Sequence, residues 1–470
     1  MCDIFAPFEG SCLYAIRADA FFHLALANSA PLKFAAKNHF YPPIAWSRAS
    51  RAQGTLDPNR GGRARYLFVC DYAAEPGFGT LRPVLKKLGR ESLFAGLDPV
   101  MRTQAAELGQ LGAGLINLDA ELFAHGSGRL RQLWRNAQQD FHRLLENCPA
   151  EYRSLFNDSR RVLQALLVRA YLYREVYEQV FAENPSLGAL ITHNDFTTCS
   201  YLACSVAREA GARSFTLQHG FPTQEYFPTS ADHYMVWGQR FRSYMASRPG
   251  AQSNLIVAGA PRFDALAKAR KSRAALRLKR EESGMNHVGR CDVVFLSQSH
   301  SPLFTDDEHR LVLAALKPLL EDHRFNVVVR LHPQETEKRF SRLSGFDRIT
   351  VAPPDVSLQE TLSAADVAIS CNSTAMLEAM AIEVPVVQIA PAQVKDRLGI
   401  VETGSVAGNG DELVHRLQAL LISDRRRAFT EKQNGLLPEY LSNFPVAGDA
   451  VCGAIEEELA CGQGVMEAKA

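Results

Sequence analysis

Asp366–Gln388, DVAISCNSTAMLEAMAIEVPVVQ, is the stretch whose reading decides the fold. Asp366 to Ser370 is a short apolar run of strand length, Ser373 to Glu383 carries helix formers, and Pro385 to Gln388 opens a second strand. The segment therefore reads as a βαβ unit, the repeat of a parallel sheet. Ser373 and Thr374 stand where the helix begins and serve there as N-caps, leaving backbone N–H groups aimed beyond the strand end. A nucleotide phosphate fits such a place. Glu378 lies one turn along the same face, within reach of a ribose bound beside that phosphate. A plain cap and a solvated glutamate would give the same letters, so the neighbouring strand ends have to decide.

Upstream, the alternation continues: Asp292 to Ser297 (strand), Glu308 to Leu320 (helix), Asn326 to Leu331 and Ile349 to Ala352 (strands), and Leu358 to Ala364 (helix). Strands alternating with helices imply a parallel sheet covered on both faces. Ser297-Gln298-Ser299-His300 and Arg330-Leu331-His332-Pro333 stand at strand ends. Pro333 stops its strand and leaves His332 at the carboxyl edge, placed to donate to a phosphate oxygen. Downstream, Gly410 to Ser423 and Asp424 to Tyr440 read as helices, and the last residues read as frayed.

The first half of the chain repeats the scheme. Tyr66 to Cys70 is a buried strand, followed by a loop holding Gly77-Phe78-Gly79 and a helix from Leu81 to Leu88. Without a third glycine the loop is no dinucleotide fingerprint. Leu93 to Asn184 reads as helical. Strands at Ala189–Thr192, Ser214–Gln218, Tyr234–Trp237 and Leu255–Ala258 then alternate with helices at Thr198–Ala210 and Phe241–Ser247. Polar residues gather at these strand ends: His193-Asn194-Asp195, Gln218-His219-Gly220 and Gly259-Ala260-Pro261-Arg262-Phe263-Asp264. In an open parallel sheet such ends share one edge, where ligands bind. His219, Asp195 and Glu225 are the candidate general bases, although Asp195 also suits a helix cap. Arg262 offers a cation to a nucleotide. His193, His219 and His233 lack the compact spacing of metal ligands.

The chain of 470 residues exceeds what one core holds. The expected divisions are an accessory segment (1–65), an acceptor domain (66–265), a basic link (266–290), a donor domain (291–425), and C-terminal helices with a tail (426–470). Lys and Arg (52) almost cancel Asp and Glu (51), which argues against a dedicated nucleic-acid binder. The ten cysteines include no C-x-x-C pair and fit buried thiols in a reducing compartment. With no run of about 20 apolar residues and no signal-like N-terminus, the expected location is the cytoplasm, with the basic link available to an anionic membrane face.

Gln218-His219-Gly220, Gly259 to Asp264, Arg330 to Pro333, and Asn372-Ser373-Thr374 with Glu378 together resemble the GT-B glycosyltransferases that build bacterial surface polymers. The likeness is to the cluster of CDP-glycerol glycerophosphotransferases, capsule polysialyltransferases and Kdo transferases, and it covers roughly residues 190–390. It implies two doubly wound Rossmann-like domains facing each other across a cleft. It assigns His332, Ser373 and Thr374 to a nucleotide donor and His219 to the active site, while Glu378, Ser297, Gln298 and Arg262 are donor candidates by their places at the strand and helix ends. Where the glycerophosphotransferases carry Thr-Pro after His-Gly, this chain has Phe221-Pro222-Thr223. The expected function is metal-independent transfer of a sugar, such as Kdo or sialic acid from a CMP donor, to a surface glycan or glycolipid, with no cofactor. Three alternatives stand beside it: a glycerophosphotransferase, a sugar-nucleotide 2-epimerase, and a non-catalytic binding partner in an export assembly.

Overall fold

The computed structural model describes residues 2–29, 64–72, 75–123, 127–223, 226–282, 290–298, 304–332, 335, 340, 348–392 and 406–467. Glu225, Ser299, His300 and Pro333 lie outside the described residues. The chain divides into two compact units, one made of Met1–Arg262 with Ala447–Ala470 and the other of Phe263–Val446.

The strands of unit 1 are β1 (Tyr66–Cys70), β2 (Ser92–Gly96), β3 (Gly114–Asn117), β4 (Ala189–Thr192), β5 (Arg213–Leu217), β6 (His233–Val236) and β7 (Asn254–Val257). They form one parallel sheet in the order β3-β2-β1-β4-β5-β6-β7. All five residues of β1 are buried because both faces of the sheet are covered. Leu67 and Val69 enter one apolar cluster, whereas Tyr66, Phe68 and Cys70 enter the other, as the two-residue period of a strand dictates. The strand order reverses between β1 and β4. At such a switch point the loops on either side turn apart and open a crevice beyond the carboxyl ends.

The helical reading of Leu93 to Asn184 needs correction, since β2 and β3 interrupt it. Ser92–Gly96 and Gly114–Asn117 are too short for periodicity to separate a buried strand from a turn of buried helix. The long helix Arg160–Glu183 does follow. The N-terminal segment is part of the core: Phe5, Ala15, Ile16 and Ala20 are fully buried. The frayed C-terminus is also corrected, because Ala447–Glu467 is a helix and buries Val451 and Ile455 among residues of β1 and its neighbours.

Unit 2 contains β8 (Cys291–Leu296), β9 (Phe325–Arg330), β10 (Ile349–Val351), β11 (Val367–Ser370), β12 (Val386–Ile389) and β13 (Val406–Ala407). They form a parallel sheet in the order β10-β9-β8-β11-β12-β13, with its switch point between β8 and β11. The helix Leu266–Glu282, expected to be a basic link, packs within this unit. Arg270 pairs with Glu383 (2.5 Å), and the buried Arg273 donates to the carbonyl of Ser363 (2.8 Å). No helix among the described residues is long and apolar enough to cross a membrane.

Candidate functional site

In unit 1 the switch point sets Asp71, the residue after β1, beside His193, the residue after β4. His193 Nε2 lies 3.3 Å from Asp71 Oδ1, and both side chains are buried. Asn194 Nδ2 donates to the same carboxylate (3.0 Å), and the Thr197 hydroxyl donates to its second oxygen. Burial pushes the Asp71 carboxyl up despite these donors. Burial also pushes His193 down to about 3, so its imidazole is neutral near pH 7.

One strand further along, His219 follows β5. Its Nδ1 lies 2.7 Å from the carbonyl of His193, and its Nε2 lies 2.8 Å from the hydroxyl of Tyr226. Burial is the largest force that brings His219 to about 3, with His193 and the Arg262 guanidinium adding to it and Asp71 opposing. The residue as a whole is half-buried. Gln218 fixes the turn: its side-chain oxygen accepts from the Trp237 backbone N–H (2.9 Å), and its side-chain nitrogen donates to the carbonyl of Gly220 (2.8 Å). The Arg262 guanidinium packs over the Trp237 ring, 5.1 Å from its centre. His219 and Arg262 thus share this edge, as their strand positions predict.

Asp195 has another use. It is fully buried, and its Oδ2 accepts from the backbone N–H groups of Ser230 (2.5 Å) and Ala231 (2.9 Å), clamping the approach to β6. A carboxylate engaged and covered in this way is a structural clamp rather than an open base, and it does not cap the following helix either. That helix, Thr198–Glu209, takes its cap from Thr197, while the N-terminal Asp19 accepts from the Thr198 backbone N–H (3.0 Å). His233 stacks on Phe215 and faces Glu458. Among the described residues no group of three or more His, Cys, Asp or Glu side chains could hold a metal ion.

In unit 2 the switch point joins the ends of β8 and β11. Gln298 Oε1 accepts from the Asn372 backbone N–H (2.7 Å), Ser370 Oγ donates to the carbonyl of Leu296 (2.6 Å), and Gln388 donates to the carbonyl of Cys371 (2.8 Å). These bonds hold the Cys371–Thr374 turn rigid. Its capping is weaker than expected: the helix is Ala375–Ala381, Thr374 makes no side-chain cap bond, and Ser373 Oγ accepts only from Ala375 N–H (3.2 Å). Glu378 is half-buried on that helix. Ser297 Oγ is buried and makes no hydrogen bond among the described residues, so it is available to a ligand at the switch point. His332 follows β9, beside β8, and burial lowers its affinity for a proton. Glu335 accepts from its backbone N–H (3.0 Å).

Sequence reasoning passed over Tyr226 and Glu335, placed Asp71 only within a loop at a strand end, and gave His193 a place at the ligand edge but no role there. Asp71 carried a usable signal, since it directly follows an unbroken apolar strand. Tyr226 and Glu335 carried none, because their partners are set by loop geometry.

The family model for UDP-N-acetylglucosamine 2-epimerase matches residues 197–435, more than half of the chain. Among solved structures, the UDP-GlcNAc 2-epimerase of Neisseria meningitidis, bound to UDP-GlcNAc, superposes with a TM-score of 0.52 at 13% identity, over 84% of this chain and 99% of that one. The S. aureus MnaA–UDP structure gives 0.51 at 13% identity, over 84% and 97%. No curated protein matches the sequence. The two-unit architecture is thus GT-B-like, and the chain falls among enzymes. Glycosyl transfer, the activity expected from the sequence, is overturned by the family match, which is to an enzyme that acts at C2 of a nucleotide sugar. The narrower likeness to the glycerophosphotransferase, polysialyltransferase and Kdo transferase cluster gains no support from it.

Proposed function

The chain belongs to the UDP-N-acetylglucosamine 2-epimerase family, and from that premise we propose that it binds a nucleotide-activated amino sugar and inverts its configuration at C2. The observation that carries this reading is the span of the match, residues 197–435, which contains both His219 and the Gln298–Thr374 turn.

Inversion at C2 requires that a proton leave one face of the sugar and that a proton be returned to the other. His219 is placed for the first task, as a half-buried imidazole directly beyond the end of β5. Asp71, buried and engaged by His193, Asn194 and Thr197, holds the turn that His219 packs against. On this reading the nucleotide sits against unit 2, with Ser373, Thr374 and the backbone N–H groups of their turn on a phosphate, His332 beside it, Ser297 at the switch point, and Glu378 on the ribose. Gln298 supports the turn from behind. The chemistry runs on these side chains without a metal, and it needs no glycan acceptor.

The test is incubation of the purified protein with UDP-GlcNAc alone in D2O, followed by NMR. The expected products are the C2 epimer and deuterium at C2 of both sugars. Unchanged substrate with no deuterium would overturn the reading, as would nucleotide release that begins only when a glycan acceptor is added.

A further inference from the structure

Glu335 stands three residues beyond His332 and turns its side chain back toward that residue's backbone. The residue is half-buried as a whole, but its carboxyl group is almost sealed, with the side chain 1% exposed. Oε2 accepts from the His332 backbone N–H (3.0 Å), and the Glu335 backbone N–H donates to the His332 carbonyl (2.8 Å), so two bonds close the turn that follows β9. The same three-residue reach occurs twice more in unit 2, from Glu308 to the Thr305 N–H (2.8 Å) and from Glu360 to the Ser357 N–H (2.8 Å). Those two are exposed helix starts where the Thr or Ser hydroxyl returns a bond to the glutamate N–H, an ordinary capping box. Here a histidine takes the place of the Thr or Ser, and the glutamate side chain is buried. Its second oxygen, Oε1, lies 3.8 Å from Nε2 of the buried His309, on the helix Asp306–Glu321, and Phe304 and Phe340 stand edge-on to the His309 ring (6.1 and 5.9 Å between centres).

From this geometry we infer that Glu335 is a positioning residue that fixes His332 for the phosphate of a bound nucleotide. The inference rests on the placement of His332 beside that phosphate and deepens it, since it names the group that holds the histidine there. A buried carboxyl group costs free energy unless its oxygens are engaged, and a hydrogen bond to such a group is among the stronger ones. The backbone of His332 is thereby tied to an anchor inside unit 2 rather than left to a loop. A side chain carried on a fixed backbone meets a phosphate oxygen without first losing the freedom of a loop, a loss that binding would otherwise have to offset. Glu335 also acts on the imidazole through charge: burial lowers the affinity of His332 for a proton and Glu335 opposes it, which favours the state that donates to an anion. Glu335 itself needs no contact with the nucleotide.

The test is calorimetry with UDP and with uridine on wild type, Glu335→Ala, Glu335→Gln, His332→Ala and the double variant Glu335→Ala/His332→Ala. Glu335→Ala should weaken UDP binding by about tenfold, the scale of one hydrogen bond to a charged group, and leave uridine within about twofold, because uridine carries no phosphate. Glu335→Gln keeps an oxygen for the His332 N–H and should recover most of the loss. In the His332→Ala background Glu335→Ala should cost nothing further, since two residues that act through one contact do not add. Equal weakening of UDP and uridine, a Glu335→Gln variant no better than Glu335→Ala, or losses that add in the double variant would show a merely structural role and overturn the inference. If Glu335→Ala does not fold, the His332 amide proton decides: bonded to a carboxyl group it should resonate downfield in wild type and move upfield in Glu335→Gln, and an amide that stays in place counts against the bond. If His332→Ala binds UDP as tightly as wild type, the placement of His332 at the phosphate fails, while the amide proton still judges whether Glu335 holds that residue.

Discussion

At the scale of single residues, burial sets the charge at the ligand edge of unit 1. His193 and His219 bind a proton near pH 6.5 in the unfolded chain but only near 3 in the folded one. Between these values the unfolded state holds more protons, so their contribution to stability is present above pH 6.5 and is lost as the pH falls toward 3. Asp71 and Asp195, pushed up by burial, act in the opposite sense, since their folded forms keep a proton at higher pH than the unfolded chain does. A comparison at one histidine isolates its share. His193→Gln should flatten the fall in Tm between pH 7.5 and 5 relative to wild type, and parallel Tm curves would refute the assignment. A second residue-scale prediction concerns Gln298, the acceptor for the buried Asn372 N–H. Gln298→Ala should cost about 1–3 kcal/mol, the price of a buried donor losing its partner, and should weaken UDP binding in calorimetry. Gln298→Glu retains the oxygen and should lose less, and equal losses in the two variants would argue against the bond. The sequence made His219, Arg262, Ser373 and Gln298 legible as polar residues closing apolar strands. It did not reveal that Asp195 turns inward as a clamp, because Ser230 and Ala231 reach it only through the fold.

At the scale of elements, most strands and helices announced themselves through length and periodicity. The exceptions are informative. β2 and β3 were hidden because short apolar runs between helices carry no period of their own. The N-terminal residues read as an accessory segment, with a helix at Ala18 to Ala27 that the structure contains within Arg17–Ser29, because their role is to complete another element: Asp19 takes the Thr198 backbone N–H, one of the donors that a helix start leaves open, and Arg17 donates to the carbonyl of Pro228 (3.4 Å). A carboxylate there also meets the positive end of the helix dipole. Its removal should therefore behave like the loss of a cap. Asp19→Ala should destabilise unit 1 by about 1 kcal/mol, read as a shift in the denaturant midpoint at constant m-value, and Asp19→Asn should recover part of that loss. An unchanged midpoint in Asp19→Ala would show that Thr197 alone suffices at this helix start. The same comparison explains the difference between the units. The helix start at the unit 1 switch point is occupied by Asp19 and Thr197, whereas Thr374 leaves that of Ala375–Ala381 without a side-chain cap bond. The proposal accordingly gives the phosphate to unit 2.

At the scale of the whole molecule, local sequence cannot report which unit a helix will join. Ala447–Glu467 reads from sequence as part of the C-terminal helices and tail, and its position after unit 2 in the chain suggests an appendage. It belongs instead to unit 1. Val451 and Ile455 are fully buried there, Arg65 pairs with Glu456 (3.0 Å), Arg213 pairs with Glu458 (3.0 Å), and the Tyr66 hydroxyl bonds Glu456. The ion pairs are partly exposed and contribute little, so the apolar contacts carry the attachment. Burying two such side chains contributes about 1.5–3 kcal/mol each, a large share of the ~5–15 kcal/mol by which a domain is usually stable. The consequence is a stability effect confined to the unit that is distant in sequence. A chain ending at residue 446 should lose hydrogen-exchange protection in β1, β4 and β5, since the removed helix covers one face of their sheet, while β8 and β11 keep theirs because no residue of unit 2's core has been taken away. Equal loss in both sheets would mean that the units do not unfold independently, and no loss in either would mean that Val451 and Ile455 are dispensable to the core they enter. With unit 1 loosened and unit 2 intact, the truncated chain should still bind UDP but fail to exchange the C2 proton, which separates the two halves of the proposed reaction by where their side chains are held.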